Sequence, residues 1–442
     1  MTKTAISELD AMEIIDSRGK PTLRVMIRLK DGTRATASVP SGTSVGTHEA
    51  LDLRDGDANR YAGMGVRKAA ANVVEKLCPI LRGMDAKYQE SIDAAMKDAD
   101  GTWNKANLGA NALLGVSMAV ARAAAASANR PLYKALSPDS RYVLPVPMMN
   151  IISGGAHAEN SLDIQEFMIV PHGAPTFSEA LRYGVAVFHA MKDILRATAM
   201  PTATGDAGGF EPPLSSNEAA LDMIMSAIQA AGLRPGTDVS IALDVAATSF
   251  EIKAGYDLWR SGVGKLSSQE LLELYQNWHK DYPIVSIEDG FGEHDWGGFK
   301  SVTEQLGDEL QIVGDDAYVT HRLLIQQGIH EKAGNAALIK PNQIGTVTET
   351  LAAVAMCHNA GWRAIISGRS GETEDTFIAD LSVATGAGQI KAGSVCRGER
   401  AAKYNRLLEI ERELGKAALY RSPFVSPALD RQARLASGDS HS

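Results

Sequence analysis

Residues Pro283–Phe299, PIVSIEDGFGEHDWGGF, join a short apolar segment to two acidic residues and a glycine-rich loop. The segment Ile284–Ile287 is rich in β-branched residues and shows no alternation of polar and apolar side chains, which is typical of a parallel-sheet strand covered on both faces. Glu288 and Asp289 end this strand. A buried strand that stops at carboxylates predicts a polar site at that end of the sheet.

Further predicted strands also stop at charged residues. The segment SIALDVA brings Asp244 to its end, LQIVGDDA brings Asp315 and Asp316, and NAALIKPNQIG brings Lys340. The intervals between positions 244, 288, 315 and 340 are 44, 27 and 25 residues, which suits strand–helix units of a (β/α) barrel with one insertion. Because the active site of such a barrel lies where its strands end, three carboxylates and a lysine predict a hard-cation site beside a base or an anion contact.

Each of these residues also has a purely structural interpretation. A single aspartate at a strand end is commonly a helix cap or a loop acid. The lysine could be solvated or paired with an acidic neighbour. Three carboxylates in register are harder to explain in this way, so the pattern favours the metal-site hypothesis.

The composition indicates a globular protein with one barrel and a further domain. Among the 442 residues 45% are apolar and 22% are charged, and a barrel needs roughly 250 residues. The net charge of −9 argues against nucleic acid as a partner, and no basic run offsets it. We therefore expect small anionic ligands to be attracted locally.

The cysteines and the N-terminus predict a cytoplasmic location. Cys78, Cys357 and Cys396 are too few and too scattered for a disulfide framework or a zinc motif. The N-terminal stretch MTKTAISELD has no apolar signal region, and the most apolar stretch, Ala110–Ala126, contains polar residues. We expect neither secretion nor a membrane span.

Residues 1–140 predict an α+β domain. The alternation of apolar and polar side chains over Leu23–Leu29 and a turn at Asp31 and Gly32 predict a hairpin. The segment Asn107–Ala128 predicts a helix that is apolar nearly all round and therefore buried. The loop PSGTSVGTHEA, residues 40–50, lacks the ending of a phosphate-binding P-loop and predicts a mobile surface loop.

Residues 141–425 predict the barrel, and residues 426–442 predict a polar tail that we expect to be disordered. The candidate strands are Gln165–Val170, Ser240–Val245, Ile284–Glu288, Gln311–Gly314, Ala336–Ile339 and Arg363–Ser367. A helix over Ala401–Leu414 is expected to close the domain.

Several strings together resemble the enolase family, whose glycolytic activity is that of phosphopyruvate hydratase. They run from DSRG at residues 16–19 to AKYN at residues 402–405, and include DIQEFMI, ALDVAA, PIVSIEDG, VGDD, LIK.NQIG and RSGETED. The resemblance covers almost the whole chain. It implies an N-terminal α+β cap domain, an unusual (β/α) barrel and a homodimer.

The resemblance also implies roles for residues at matching positions. The residues implied to bind two Mg²⁺ ions are Asp244, Glu288 and Asp315 for the first ion and Ser44 for the second. The residues implied to be catalytic are Lys340, as the base that removes the proton next to the substrate carboxylate, and Glu166. The residues implied to bind the substrate are His157, Gln165, Arg369, Ser370 and Lys391. Two cations are needed because proton removal leaves a second negative charge on the carboxylate.

Four positions depart from the family pattern. Ala207 stands where the family has the glutamate that acts as the acid for expelling the 3-hydroxyl, and Gly368 stands where it has a histidine. Pro341 replaces a phenylalanine and Ser153 an asparagine. Loss of a general acid costs about 10² to 10⁴ in rate. The metal and anion residues are kept, whereas the dehydration residues are not.

We interpret the chain as a Mg²⁺-dependent enzyme that acts on a 2-phosphoglycerate-like or phosphoenolpyruvate-like anion with altered chemistry. The loss of two bulky side chains leaves room for a second substrate. The specific hypothesis is carboxyphosphonoenolpyruvate synthase of phosphonate antibiotic pathways, with a nucleotide-activated phosphonate as that substrate. One alternative is phosphopyruvate hydratase in which Glu166 or a water supplies the acid. Another is a non-catalytic binding protein on an enolase scaffold.

Overall fold

The computed structural model describes residues 2–42, 46–137 and 142–424. Ser44 and the predicted tail at 426–442 lie outside these ranges. The N-terminal part contains an antiparallel sheet with the order β1-β2-β3. Its strands are β1 Ile6–Ile15, β2 Pro21–Leu29 and β3 Arg34–Ser38. The predicted hairpin is thus present, and the alternating apolar residues of β2 lie in the core.

Helices accompany this sheet, and Ala110–Ser127 packs against β2 and β3. They are Arg67–Ala71, Cys78–Leu81, Gln89–Asp100, Ala110–Ser127 and Leu132–Leu136. The helix Ala110–Ser127 is buried on most sides, as its lack of a polar face predicts. At Gly115 an added Cβ would lie 2.5 Å from Cγ2 of Val25, so a glycine is needed for this close approach. The helix is long and apolar enough to cross a membrane, yet 78% of it is buried inside the protein, which is the environment of a core helix.

Within the described residues, eight strands close a barrel. They are β4 Val146–Ser153, β5 Glu166–Val170, β6 Ser240–Asp244, β7 Ile284–Glu288, β8 Gln311–Gly314, β9 Ala336–Ile339, β10 Arg363–Ser367 and β11 Gln389–Lys391. The barrel order is β4 to β11, and β11 returns to pair with β4. Strand β5 runs antiparallel to both of its neighbours, whereas the other pairs are parallel.

Helices surround the barrel. They are Phe177–Ala197, Asn217–Ala230, Ser268–Asp281, Trp296–Leu306, Arg322–Glu331, Pro341–Ile344, Val347–Asn359, Phe377–Thr385 and Gly398–Leu414. Short strands Glu251–Ile252, Gly255–Leu258 and Gly264–Leu266 form a small sheet in the connection after β6, and Val143–Leu144 pairs with Leu419–Tyr420. The α/β fold class is therefore an N-terminal α+β domain followed by a closed barrel.

An ion pair joins the N-terminal domain to the barrel. The carboxylate of Asp375 accepts hydrogen bonds from Nη1 and Nη2 of Arg122 at 2.6 and 2.7 Å, and from the backbone N–H of Ser38 at 2.9 Å. Burial alone would raise the pKa of Asp375, but the contacts with Arg122 outweigh it and lower the pKa. The contribution of Asp375 to the free energy of unfolding is therefore present above the unfolded pKa of about 3.9. It is lost as the pH falls through the pKa that Asp375 has in the folded protein.

Asp375→Asn should lower the free energy of unfolding at neutral pH. The change leaves the Arg122 charge without its partner, and removal of one partner of a buried pair costs roughly 3–5 kcal/mol. We expect the lower end of that range, because 20% of the Arg122 side chain is exposed. Urea denaturation measures the effect, and Asp193→Asn in an exposed pair with Arg196 is the control. Equal stabilities of the two variants would contradict this account of the domain contact.

Candidate active site

Residues that end adjacent barrel strands form one rim. Asp244 is the last residue of β6 and Glu288 the last of β7, and the two are partners in the register of these parallel strands. Asp315 follows directly after β8, and Lys340 directly after β9. The carboxyl ends of parallel strands meet at one end of a barrel. The structure therefore brings together the four strand-end residues that the sequence predicts.

The reversed strand β5 adds a further carboxylate to this rim. Glu166 is the first residue of β5 and pairs with Asp244 at the end of β6. Because β5 is antiparallel, its beginning lies at the same barrel end as the carboxyl ends of the other strands. Lys391, the last residue of β11, completes the rim.

Lys391 lies at the centre of the carboxylates. Its Nζ donates to Oδ2 of Asp244 at 2.7 Å and to the two carboxylate oxygens of Glu288 at 2.8 and 2.9 Å, and lies 3.3 Å from Oε2 of Glu166. Gln165 Nε2 also donates to Oδ2 of Asp244, at 3.2 Å. Burial would lower the pKa of Lys391, but these carboxylates outweigh it and raise the pKa well above its usual value. Lys391 is therefore a fixed cation.

The neighbouring carboxylates respond differently to burial. Burial and the nearby Asp244 raise the pKa of Glu288 well above its usual value, despite the attraction of Lys391. Burial would also raise the pKa of Glu166, but Lys391 and His157 outweigh it and lower the pKa. His157 Nδ1 lies 3.3 Å from Oε1 of Glu166. Glu166 is thus held as an anion between two side chains.

Lys340 is paired with the third carboxylate of the rim. Its Nζ donates to Oδ2 of Asp315, whose Oδ1 accepts from Nε2 of Gln343 at 2.9 Å. Burial would lower the pKa of Lys340, but Asp315 outweighs it and raises the pKa. A base must be deprotonated before it can remove a proton. A ligand that binds the Asp315 carboxylate in place of Lys340 would therefore favour the role of Lys340 as the base.

The predicted phosphate contacts lie in the same cleft. Arg369 is 6% exposed and forms a double contact with Glu49 at 3.0 and 3.2 Å, and its Nη1 also donates to Oδ1 of Asn342 at 3.2 Å. Ser370 Oγ accepts from Nη1 of Arg18 at 3.2 Å. Both residues therefore stand at the junction of the barrel and the N-terminal domain.

These groups line one cleft at the end of the barrel. The sequence-predicted residues that line it are His157, Gln165, Glu166, Asp244, Asp315, Lys340, Arg369, Ser370 and Lys391. Glu288 is fully buried, and its carboxylate contacts Lys391, which lines the cleft. Ala207, Gly368 and Gly393 line another part of the cleft, where they offer no side-chain proton donor.

Sequence reasoning assigned no role to several polar residues of the site. Asp289 accepts from the backbone N–H groups of Asp315 and Asp316 at 2.9 Å, and burial together with Asp315 raises the pKa of Asp316 to about 7. The adjacent acidic residues in IED and VGDD are the sequence signal for Asp289 and Asp316. Glu49 lies in the loop in which only Ser44 was assigned a role, and Arg400 had no signal in its local sequence.

The residues present fit a hard divalent cation. Asp244, Glu288 and Asp315 supply buried carboxylate oxygens, the donors that Mg²⁺ prefers, and two lysines now neutralise part of their charge. A different trio of acids, Asp289, Asp315 and Asp316, comes within 4.8 Å, with Asp315 common to both sets. Asp289 accepts two backbone hydrogen bonds, and Asp244 and Glu288 accept from Lys391, so both trios offer carboxylate oxygens that already have partners.

Mg²⁺ should stabilise the fold, by about 2.7 kcal/mol at a concentration near one hundred times its dissociation constant. The clustered carboxylates repel one another when no cation separates them. Asp315→Asn removes one charged donor and should reduce the rise in melting temperature that Mg²⁺ produces. Thermal melts with Mg²⁺ and with EDTA measure the shift, and Asp193→Asn, on the surface, is the control. A melting temperature indifferent to both additions would argue against the site.

Comparisons with known proteins agree with this architecture. The family model "Enolase, N-terminal domain" matches residues 6–136, and "Enolase, C-terminal TIM barrel domain" matches residues 141–426. The chain is 56% identical to "Enolase 1" of Methylococcus capsulatus over 418 residues, which is 95% of this chain and 99% of the relative. It is also 56% identical to "Enolase" of Desulfotalea psychrophila over 417 residues, 94% of this chain and 99% of the relative.

Proposed function

The chain belongs to the enolase family, and from this premise we propose that it removes the proton next to the carboxylate of 2-phosphoglycerate and forms phosphoenolpyruvate in a Mg²⁺-dependent reaction. The two relatives are both named enolase, which supports this reaction over carboxyphosphonoenolpyruvate synthase. The observation that carries the proposal is the rim itself. Two lysines, Lys340 and Lys391, and three carboxylates that would hold a cation meet at one barrel end.

Lys340 takes the proton in this proposal. It lies on the cleft wall beside Asp315, within a buried region where water competes poorly for charged groups. Bound Mg²⁺ would supply positive charge to the substrate carboxylate and so hold the second negative charge that forms there. Lys391 keeps its own proton and adds a fixed positive charge, because three carboxylates hold it in place.

Loss of the 3-hydroxyl needs a proton from another group. Ala207 and Gly368 line the cleft but carry no proton donor. Candidates in the described part of the cleft are Glu166, close to His157 and Lys391, a water beside it, and Asp316, whose pKa is raised to about 7 by burial and Asp315. Since Lys391 and His157 hold Glu166 as an anion, donation from it is unfavourable. We therefore expect dehydration to be slower than proton removal.

The same observation favours a second candidate function. Position 207 carries only the methyl group of alanine, which suits a synthase that joins the enolpyruvyl unit to a nucleotide-activated phosphonate. Carboxyphosphonoenolpyruvate synthase is the specific form of this candidate. Phosphoenolpyruvate formed at a typical enzymatic rate would exclude it as the main activity.

A direct assay tests the primary proposal. Purified protein, 2-phosphoglycerate and Mg²⁺ should yield phosphoenolpyruvate, detected by coupling to pyruvate formation, and EDTA should stop the reaction. Typical enzymes turn over at about 1 to 10³ s⁻¹, and we expect a value at or below the lower limit. No Mg²⁺-dependent product at any protein concentration would contradict the proposal.

We also propose that the protein is a cytoplasmic homodimer, as the family resemblance implies. Met12 and Ile15 on β1 are 48% and 62% exposed, and two large apolar side chains on one exposed strand suit an interface between copies. Light scattering at micromolar concentration should give about twice the monomer mass of 47.0 kDa.

A further inference from the structure

We propose that Glu49 is a positioning residue of the substrate site. It holds the guanidinium of Arg369 in place for the substrate phosphate, and the amide of Gln343 fixes Glu49 relative to Asp315. The proposal rests on the proposed function in one respect, because it takes Arg369 as the contact of the substrate phosphate. Glu49 itself transfers no proton in this role.

Glu49 holds the end of the Arg369 side chain. Its two carboxylate oxygens accept from Nη1 and Nη2 of Arg369 at 3.0 and 3.2 Å, and both side chains are 4% exposed. Oδ1 of Asn342 accepts a further hydrogen bond from Nη1 at 3.2 Å. A double contact of this kind fixes the plane of a guanidinium as well as its position. Glu49 therefore sets the orientation in which Arg369 faces the cleft.

The backbone of Arg369 is held by other residues. Its N–H donates to Oε1 of Glu372 at 2.9 Å, and its carbonyl accepts from Nη1 of Arg400 at 2.6 Å. These contacts fix the start of the side chain but not its end, because several rotatable bonds separate the two. Burial would lower the pKa of Arg369, but Glu49 outweighs it and raises the pKa. The group that Glu49 orients is thus a permanent cation.

Gln343 connects Glu49 to a carboxylate of the predicted metal site. Its Nε2 donates to Oε1 of Glu49 at 3.2 Å and to Oδ1 of Asp315 at 2.9 Å. Its Oε1 accepts from Oγ1 of Thr320 at 2.8 Å, and the residue is 1% exposed. An amide nitrogen has two N–H donors, and here each has a carboxylate as its acceptor. Gln343 therefore lies between two negative groups and fixes their relative position.

The segment that carries Glu49 has anchors of its own. The N–H of Ala50 donates to the carbonyl of Gln343 at 2.8 Å. Thr47 donates to the carboxylate of Glu293, through its N–H at 3.2 Å and its Oγ1 at 2.6 Å. Glu293 is therefore a matched control, because it is an acidic anchor of the same segment and its contact is with Thr47.

A bare charge and a positioning contact at position 49 have opposite effects on anion binding. Glu49 is a negative charge beside an anion contact, so Coulomb repulsion alone predicts that its removal tightens phosphate binding. Positioning predicts weaker binding, because the ligand must then order a mobile guanidinium. The direction of the change in affinity therefore distinguishes the two.

Calorimetric titration of 2-phosphoglycolate into protein saturated with Mg²⁺ measures this affinity. The compound carries the carboxylate and the phosphate of the substrate but has no 3-hydroxyl to lose. Glu49→Gln keeps the shape of the side chain and should raise the dissociation constant about tenfold or more, which is 1.4 kcal/mol. An unchanged or lower constant would overturn the proposal. A purely structural defect would reduce the number of binding sites per chain without changing the constant, and that result would overturn it too.

Steady-state kinetics give a second readout of the same variant. With 2-phosphoglycerate as the substrate, Glu49→Gln should raise KM more than it lowers kcat, because a contact with the phosphate is made in the ground state as well. Glu293→Gln removes a negative charge and an anchor of the segment, and should change both KM and the 2-phosphoglycolate affinity much less. Equal effects of the two variants would overturn the proposal, because they would assign the change to the segment as a whole.

A double-mutant cycle tests the role of Gln343. Gln343→Met keeps the length of the side chain without its amide, and should weaken 2-phosphoglycolate binding although the amide contacts Glu49 and Asp315. Because the two residues act as a unit, the double variant should bind no more weakly than the weaker single variant. The Mg²⁺ dissociation constant of each variant is measured first, so that each is saturated. Additive effects, or full affinity in Gln343→Met, would overturn the assignment of Gln343.

The failure of this proposal and of the proposed function can be told apart. Binding of 2-phosphoglycolate needs no turnover, whereas proton removal by Lys340 is measured as exchange at C2 of 2-phosphoglycerate. Exchange in the unmodified protein, with affinity unaffected by Glu49→Gln, would leave the proposed function intact and remove the role of Glu49. Weaker binding in Glu49→Gln without exchange in the unmodified protein would keep the role of Glu49 and contradict the proposed function.

Discussion

Lys340→Ala should abolish the Mg²⁺-dependent exchange of the C2 hydrogen of 2-phosphoglycerate with solvent deuterium. We assign this proton to Lys340, which lines the cleft, whereas Lys391 is fixed as a cation by three carboxylates. Loss of a positioned general base typically lowers a rate by about 10² to 10⁴. Proton NMR in D₂O follows the exchange as loss of the C2–H signal.

The control for this variant removes a lysine that is remote from the cleft. Lys253 is exposed, so Lys253→Ala should leave exchange unchanged. Lys340→Ala also frees Asp315, so its response to Mg²⁺ in thermal melts must be measured beside the exchange rate. Exchange within tenfold of the wild-type rate in a folded, Mg²⁺-responsive Lys340→Ala protein would show that another group is the base.

Ala207→Glu should raise the rate of phosphoenolpyruvate formation by about 10² to 10⁴ relative to the rate of C2 exchange. The substitution places a carboxylic acid at position 207, where the chain has an alanine, and Ala207 is only 7% exposed, so burial would favour the protonated form. The exchange rate itself should change much less, because the substitution does not touch Lys340. Both rates can be read from the same NMR sample.

Ala207→Gln is the matched control, since it has nearly the same shape and cannot donate an acidic proton. If glutamine raises dehydration as much as glutamate, the gain comes from filling the cleft, and the account of the missing acid is wrong. Gly368→His is a less clean test. A Cβ at Gly368 would lie 2.9 Å from Oε1 of Glu372, which is held by the N–H of Arg369 and by Lys403.

The sequence predicted those parts of the fold that depend on continuous apolar segments. The strands Ile284–Glu288, Gln311–Gly314, Ala336–Ile339 and Arg363–Ser367 have the predicted bounds. Each is a short β-rich run bounded by polar or small residues, a signal that needs no tertiary information. The rim residues at the strand ends followed from the same signal.

Other features depend on tertiary contacts and had no local signal. The apolar pattern of the segment that begins at Glu166 does not distinguish a parallel strand from an antiparallel one. Its antiparallel pairing, which brings Glu166 to the rim, could therefore not be predicted from the sequence. The contact of Glu49 with Arg369 joins residues 320 positions apart. The environment of Arg400 is likewise formed by backbone carbonyls from distant loops.

The most direct test compares two rates for the unmodified protein in D₂O with Mg²⁺ and 2-phosphoglycerate. The central claim is that the groups for proton removal are present and that positions 207 and 368, where the family pattern has a glutamate and a histidine, carry no proton donor. It predicts that deuterium enters C2 faster than phosphoenolpyruvate forms, and that EDTA stops both processes. Phosphoenolpyruvate formed as fast as deuterium enters would contradict the claim, because it would show that another group fills the role that Ala207 leaves open.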